Sequence, residues 1–279
     1  MAQRAEGKTF GAFPNAFDFI VMAMWVFIAQ TIVARLCCLC GIVFPDTTLA
    51  NNPDDQISLL AQLAAAQSLA IVYPISMVLA IAGTLLYRRM RGGARKIIAH
   101  SWAGFDSSRL LRLFILMVAI QIVIEPLTTM MPEVPQMVGR GFFTVLVSIV
   151  FAPIFEEILC RGIVLEAFRS KYGIWVGWIC SSLFFGVIHG HLAAVFSATL
   201  LGLVLCYAYI RTRSIFSVII LHALNNGLAL ALMAFDLGDS TFREAIPDPR
   251  FYWAIWGASL AIVFIGVVVM IRNIRKVQK

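Results

Sequence analysis

Eight long runs of apolar residues, parted by short polar loops, take up most of this 279-residue chain. They fall at roughly 17–44, 57–87, 110–131, 141–168, 173–190, 192–210, 214–235 and 251–271. Crossing the hydrocarbon core of a bilayer takes about 20 mainly apolar helical residues. Inside that core only helices and closed barrels satisfy their own backbone hydrogen bonds. The runs therefore predict an all-α polytopic membrane protein, a bundle of about eight transmembrane helices. One integral membrane domain then covers 1–279, with no stretch left for a soluble domain. Composition points the same way: 61% of residues are hydrophobic and 13% charged, against about 45–50% and about 25% in soluble domains. A soluble enzyme, a disordered tail and a disulfide-stapled secreted domain are excluded. The first run is long, carries Asp18 near its start and has no small-residue cleavage site, so it reads as a retained helix and not a signal peptide.

The formal net charge is +7, and its placement decides what it means. Seventeen of the 22 Lys and Arg residues lie in 1–16, in 88–109 with Arg112, and in 169–172, 211–213 and 272–279. The alternating loops 45–56, 132–140 and 236–250 hold only Arg140, Arg243 and Arg250, together with eight acids. The positive-inside rule then predicts both termini in the cytoplasm, which an even helix count also requires. Basic residues at the ends of apolar runs answer to the lipid bilayer, not to nucleic acid. The basic segment 88–109 reads as a juxtamembrane loop on anionic lipid. Gly92-Gly93 ends the preceding helix, and Asp106, Ser107 or Ser108 caps the next. The six cysteines lie in apolar runs, and Cys37, Cys38 and Cys40 read as small apolar residues on a helix.

Ionisable residues are costly inside a membrane and mark polar cavities when they occur there. Here they concentrate in spans four to seven, in the strings Glu156-Glu157-Ile158-Leu159-Cys160-Arg161, Phe185-Gly186-Val187-Ile188-His189-Gly190-His191 and His222-Ala223-Leu224-Asn225-Asn226. At about 100° per residue, Glu157 shares a face with Arg161 in the favourable acid-first order, and Glu156 points elsewhere. Phe185 pairs in the same way with His189, and His222 with Asn226. Helix rise places Glu156 about 15 Å, Asn226 about 18 Å and His189 about 22 Å from the basic side, so the three groups can meet near mid-membrane. Glu157 with Arg161 reads as an ion pair holding span four in register. Glu156 has no such partner and reads as functional. His191 reads as interfacial, Asn225 as a helix–helix hydrogen bond, and Glu125-Pro126 as a helix end or a substrate path. His100 receives no role. Arg35 either snorkels or pairs.

Glu156-Glu157-x-x-x-Arg161, Phe185-x-x-x-His189 and His222-x-x-x-Asn226, in this order on three apolar helices, resemble the motifs of the CAAX prenyl protease and bacteriocin-processing (CPBP, or Abi) family of intramembrane proteases. The resemblance covers about 150–235, and the helices it marks as catalytic lie at about 141–235. It implies an eight-helix fold and peptide-bond hydrolysis, with Glu156 and His189 activating a water. It further implies that His222 and Asn226 stabilise the oxyanion, with Glu157, Arg161 and Phe185 in support. A carboxylate in a poorly hydrated cavity is a fit general base, and His and Asn side chains are fit oxyanion donors.

Other readings stay open. Glu156, His189 and His222 are plausible zinc ligands by type, but no HExxH is present and no two histidines stand i, i+4 on one helix, so the expectation is no metal. A serine elbow is absent, as is an intramembrane aspartate pair. A non-catalytic scaffold or bacteriocin-immunity protein would bind a partner through the same cavity. A transporter reading lacks the repeats and broken helices typical of that class. The expected partner is a peptide or membrane-protein substrate, with a prenylated C-terminus as one option.

Overall fold

The computed structural model describes residues 13–42, 44–45, 55–93, 106–131, 140–234 and 241–278, and every regular element among them is helical. The elements are α1 (Ala16–Leu39), α2 (Asp55–Met90), α3 (Ser107–Thr128), α4 (Phe142–Tyr172), α5 (Ile174–Val187), α6 (Leu192–Thr212), α7 (Ile215–Ala234), a single turn α8 (Phe242–Ala245) and α9 (Pro249–Gln278). Seven of these are long and apolar enough to cross a membrane, and the chain is an all-α, multi-pass integral membrane protein. His100, Arg4, Lys8, Arg95 and Lys96, and the loop acids Asp46, Asp54, Glu133, Asp236 and Asp239, fall outside the described residues.

The fifth span is the exception to the expected pattern. With 14 residues, α5 rises only about 21 Å, short of the ~30 Å core. The sequence predicts a helix to residue 190, but the chain turns at His189-Gly190-His191. The φ of +84° at Gly190 is a left-handed value that glycine adopts without a side-chain clash. His191 then caps α6, its Nδ1 accepting the Ala194 N–H at 3.4 Å. Elsewhere the caps follow the sequence. Asn15 and Asp18 form a capping box at the start of α1. Asp106 caps α3 through the Ser108 and Arg109 N–H groups, and α2 stops at Met90, before Gly92-Gly93.

In lipid, helices associate through close packing and interhelical hydrogen bonds, since the tails are as apolar as the side chains. The central column is α4, whose residues 159 to 165 are buried on every side. The α5–α6 hairpin packs tightly against it. A Cβ at Gly186 would overlap Thr199, Trp178 Nε1 donates to the Leu203 carbonyl at 2.7 Å, and Ser181 Oγ donates to the Cys160 carbonyl at 2.8 Å. The outermost helix is α9, with Phe251, Trp253, Phe264 and Ile265 exposed.

The basic helix ends gather at one end of the bundle. Buried Asp18 accepts from Tyr87 Oη at 2.6 Å and Arg91 Nε at 3.0 Å, pinning the start of α1 to the end of α2. Lys171 and Tyr172, ending α4, both donate to the Pro14 carbonyl. Arg213, beyond α6, pairs with Glu166 of α4 at 2.6 Å.

Candidate active site

Glu157 lies fully buried on α4, and one of its oxygens serves two partners. Oε1 accepts from Arg161 Nη1 at 2.6 Å and from His222 Nδ1, on α7, at 2.8 Å. The Arg161 guanidinium also donates to the Gly202 carbonyl at 3.3 Å and sits 4.5 Å from the Phe185 ring centroid, a cation–π contact. The ion pair read from the i, i+4 spacing is present, and it is also the mount for a histidine from another helix. Sequence spacing within α4 shows the first partner and is blind to the second.

Glu156 reaches the same ring from its other edge. Its Oε2 stands 3.9 Å from His222 Nε2, outside direct hydrogen-bond range. Its Oε1 accepts from the Tyr73 hydroxyl of α2 at 2.7 Å. Adjacent residues about 100° apart on one helix thus approach opposite nitrogens of one imidazole.

His189 lies just past the end of α5, and its Nδ1 donates to the Phe185 carbonyl at 2.6 Å. The Phe185 ring makes edge contacts with both histidines, at 4.9 Å to His189 and 5.4 Å to His222. A cavity of about 150 Å³ is lined by Phe185, His189, His222, Asn225 and Asn226, with Met117 and Ser197 among its other walls. Glu156 does not line it, but its Oε2 stands 3.9 Å from His222, which does. With Nδ1 committed in both histidines, Nε2 is the nitrogen left for chemistry. It accepts in the neutral ring and donates in the imidazolium.

Asn226 donates through Nδ2 to the Ser148 carbonyl at 2.9 Å, for a reason found in α4. Leu146–Phe151 is wound as a π-helix, and the Ala152 N–H goes to the Val147 carbonyl five residues back. The donor that this winding would give Ser148 is residue 153, a proline with no N–H. Asn226 fills the gap with one amide hydrogen, and its amide has a second. The π winding recurs at Ile158–Leu165, where Ser181 bonds the Cys160 carbonyl. Such wide turns are rare and frequent at functional sites.

The remaining candidates settle simply. Asn225 accepts from Gln121 Nε2 of α3 at 3.0 Å, the helix–helix bond expected of it. Glu125 accepts the Phe242 N–H at 2.8 Å, tying α8 to the end of α3. Arg35 is exposed on α1. Tyr73 and Gln121 escaped the sequence reading; the signal for Tyr73 was a phenol beside Pro74 in the middle of an apolar run. Among the described residues no group of three or more His, Cys, Asp or Glu side chains is arranged to hold a metal ion.

Residues 139–228 match the family model described as type II CAAX prenyl endopeptidase Rce1-like. The chain is 32% identical over 82 residues to "Putative membrane peptidase YdiL" of Bacillus subtilis (strain 168), covering 29% of this chain and 34% of that protein. It is 36% identical over 84 residues to an "Uncharacterized 24.3 kDa protein" of Escherichia coli, covering 28% of this chain and 39% of that protein. The chain thus spans little more than a third of the length of these curated relatives. No solved structure matches it. The matched segment, which carries the two glutamates, two histidines and asparagine, is thus similar to type II CAAX prenyl endopeptidases of the Rce1-like kind.

Proposed function

We propose that the chain is an intramembrane endopeptidase that hydrolyses a peptide bond in a peptide or membrane-protein substrate, without a metal. The observation that carries this reading is the His222 imidazole between two buried-side carboxylates, Glu157 at 2.8 Å and Glu156 at 3.9 Å. Glu156 takes a proton from a water as its oxygen attacks the scissile carbonyl, with His189 Nε2 orienting that water. The oxyanion is met by His222 Nε2–H, in the imidazolium form, and by the second Asn226 amide hydrogen. Collapse of the tetrahedral intermediate breaks the C–N bond, and the proton held by Glu156 passes to the leaving amine. Glu157 positions His222, Arg161 balances Glu157, and Phe185 packs both histidine rings. Both termini face the cytoplasm in this reading.

The test is proteolysis of a peptide library by purified protein, with prenylated and unprenylated C-termini as separate arms. Wild type should cleave and Glu156→Gln should not, at equal melting temperature. Activity should survive a strong chelator. Loss with chelator and recovery with Zn²⁺ would replace this mechanism with a zinc-dependent one.

A further inference from the structure

A second cavity, of about 480 Å³, opens between α3, α6 and α9 at the basic end of the bundle. Arg109 and Arg112 of α3, Arg211 of α6 and Asn273 of α9 line its polar end. Leu113, Leu116, Ile262 and Ile265 are among the residues that line its apolar part. The packing of α9 builds the cleft. Gly266 lets α9 close onto α3, since a Cβ there would come 2.6 Å from Leu116 Cδ1. About two turns further, α9 bonds α6 instead, Asn273 Nδ2 donating to Tyr207 Oη at 2.8 Å. A three-sided space remains between these two anchors. Its rim is open sideways, toward lipid: Ile115, Ile262 and Ile265 are 45%, 39% and 60% exposed.

Among the described residues the charges in this cleft are unbalanced. Arg109 stands 3.6 Å from Asp106, the acid at the start of α3, which offsets one guanidinium against three. Guanidinium groups bind phosphate oxygens in pairs and are weakly hydrated. An amphipathic slot of this kind, polar at the headgroup level and apolar below, matches a ligand with the same division. We infer that the cleft binds an anionic glycerophospholipid, its phosphate on Arg109, Arg112 and Arg211 and the start of its acyl chains along Leu116 and Ile265. Positively charged pockets between membrane helices are suited to anionic headgroups. The lipid seals α9 against α3 and α6 where side-chain packing leaves space. This site is separate from the histidine cavity and does not depend on peptidase activity.

The test uses the full chain purified in mild detergent. Phosphatidylglycerol and phosphatidylcholine are added separately, and retention is read by native mass spectrometry with the melting temperature alongside. Wild type should retain phosphatidylglycerol at least tenfold better than phosphatidylcholine and melt higher with it. The double variant Arg112→Gln/Arg211→Gln should lose that preference while melting like wild type in phosphatidylcholine. Ile265→Trp, at an exposed rim position, should narrow the mouth and reduce retention with the arginines intact; it decides the matter if the double variant does not fold. Inorganic phosphate at millimolar concentration should not reproduce the thermal shift. Equal retention of the two lipids by wild type overturns the inference. So does unchanged preference in the variants, or a full shift with phosphate alone, which would make the cleft a free-anion site.

Discussion

Glu157 and His222 share a hydrogen bond of 2.8 Å, made on the carboxylate oxygen that also holds Arg161 at 2.6 Å. One atom therefore links the charge balance of α4 to the posture of a histidine on α7, and stability and activity can be separated by mutation. Glu157→Gln leaves Arg161 buried without its counter-charge, at about 3–5 kcal/mol, and should lower the melting temperature and the yield. Glu157→Leu with Arg161→Leu removes both charges and should recover most of that stability. It also removes the acceptor for His222 Nδ1, so peptide cleavage should stay lost. A double variant that melts like wild type and cleaves at its rate would remove Glu157 from the positioning of His222.

Glu156→Gln keeps the shape of the side chain and a carbonyl to accept the Tyr73 hydroxyl, but it removes the base. Cleavage should fall about 10²–10⁴-fold while the melting temperature holds. Tyr73→Phe tests the support of that base. A hydrogen bond to a charged group is worth about 1.5–3 kcal/mol, so kcat should fall roughly 10- to 100-fold with little change in fold, read by single-turnover cleavage and circular dichroism.

Asn226 has two jobs under this account, and Pro153 separates them. Asn226→Ala strips the Ser148 carbonyl of its partner and should cost stability as well as cleavage. Pro153→Ala supplies a backbone N–H at the position the π winding needs. In combination with Asn226→Ala it should restore the melting temperature but not the activity. Return of both would make Asn226 a purely structural residue.

Asp106 lies at the start of α3, where the Ser108 hydroxyl and then the Arg109 N–H hold its carboxyl below the usual carboxylate range. A lowered carboxyl contributes stability above the ordinary carboxylate range, and this is lost as pH falls through its lowered value. Asp106→Ala should melt below wild type near neutral pH, and the gap should close in acid. A gap that persists at low pH would assign the effect to something other than the ionised cap.

Reporter fusions after Lys279 and within 241–245 should give cytoplasmic and non-cytoplasmic signals respectively. The reverse pattern would invert the bundle.

Much of this was legible in the sequence because lipid imposes simple rules. Apolar runs gave the helices, and Asn225, read as a helix–helix bond, makes one to Gln121. Asp106, Ser107 or Ser108 was expected to cap α3, and Asp106 does. The helix ends were less legible. Hydropathy stops at the polar interface, whereas α9 continues as a helix through Arg272 and Arg275 to Gln278. The π turns of α4 were hidden because helical periodicity assumes a constant winding. Tyr73 was hidden because its partner lies 83 residues away in sequence, and no local spacing encodes that contact.

The brevity of α5 has a consequence for the water that hydrolysis needs. A helix of 14 residues stops about 9 Å short of a bilayer's full hydrocarbon thickness, and His189 sits at that stop. In a bilayer of ordinary thickness so short a wall leaves a hydrophobic mismatch, and local thinning there would bring the aqueous phase closer to the imidazole. Cleavage should then depend on the lipid chosen, running faster in bilayers of short-chain lipids and slower in thick ones, with the protein sequence unchanged.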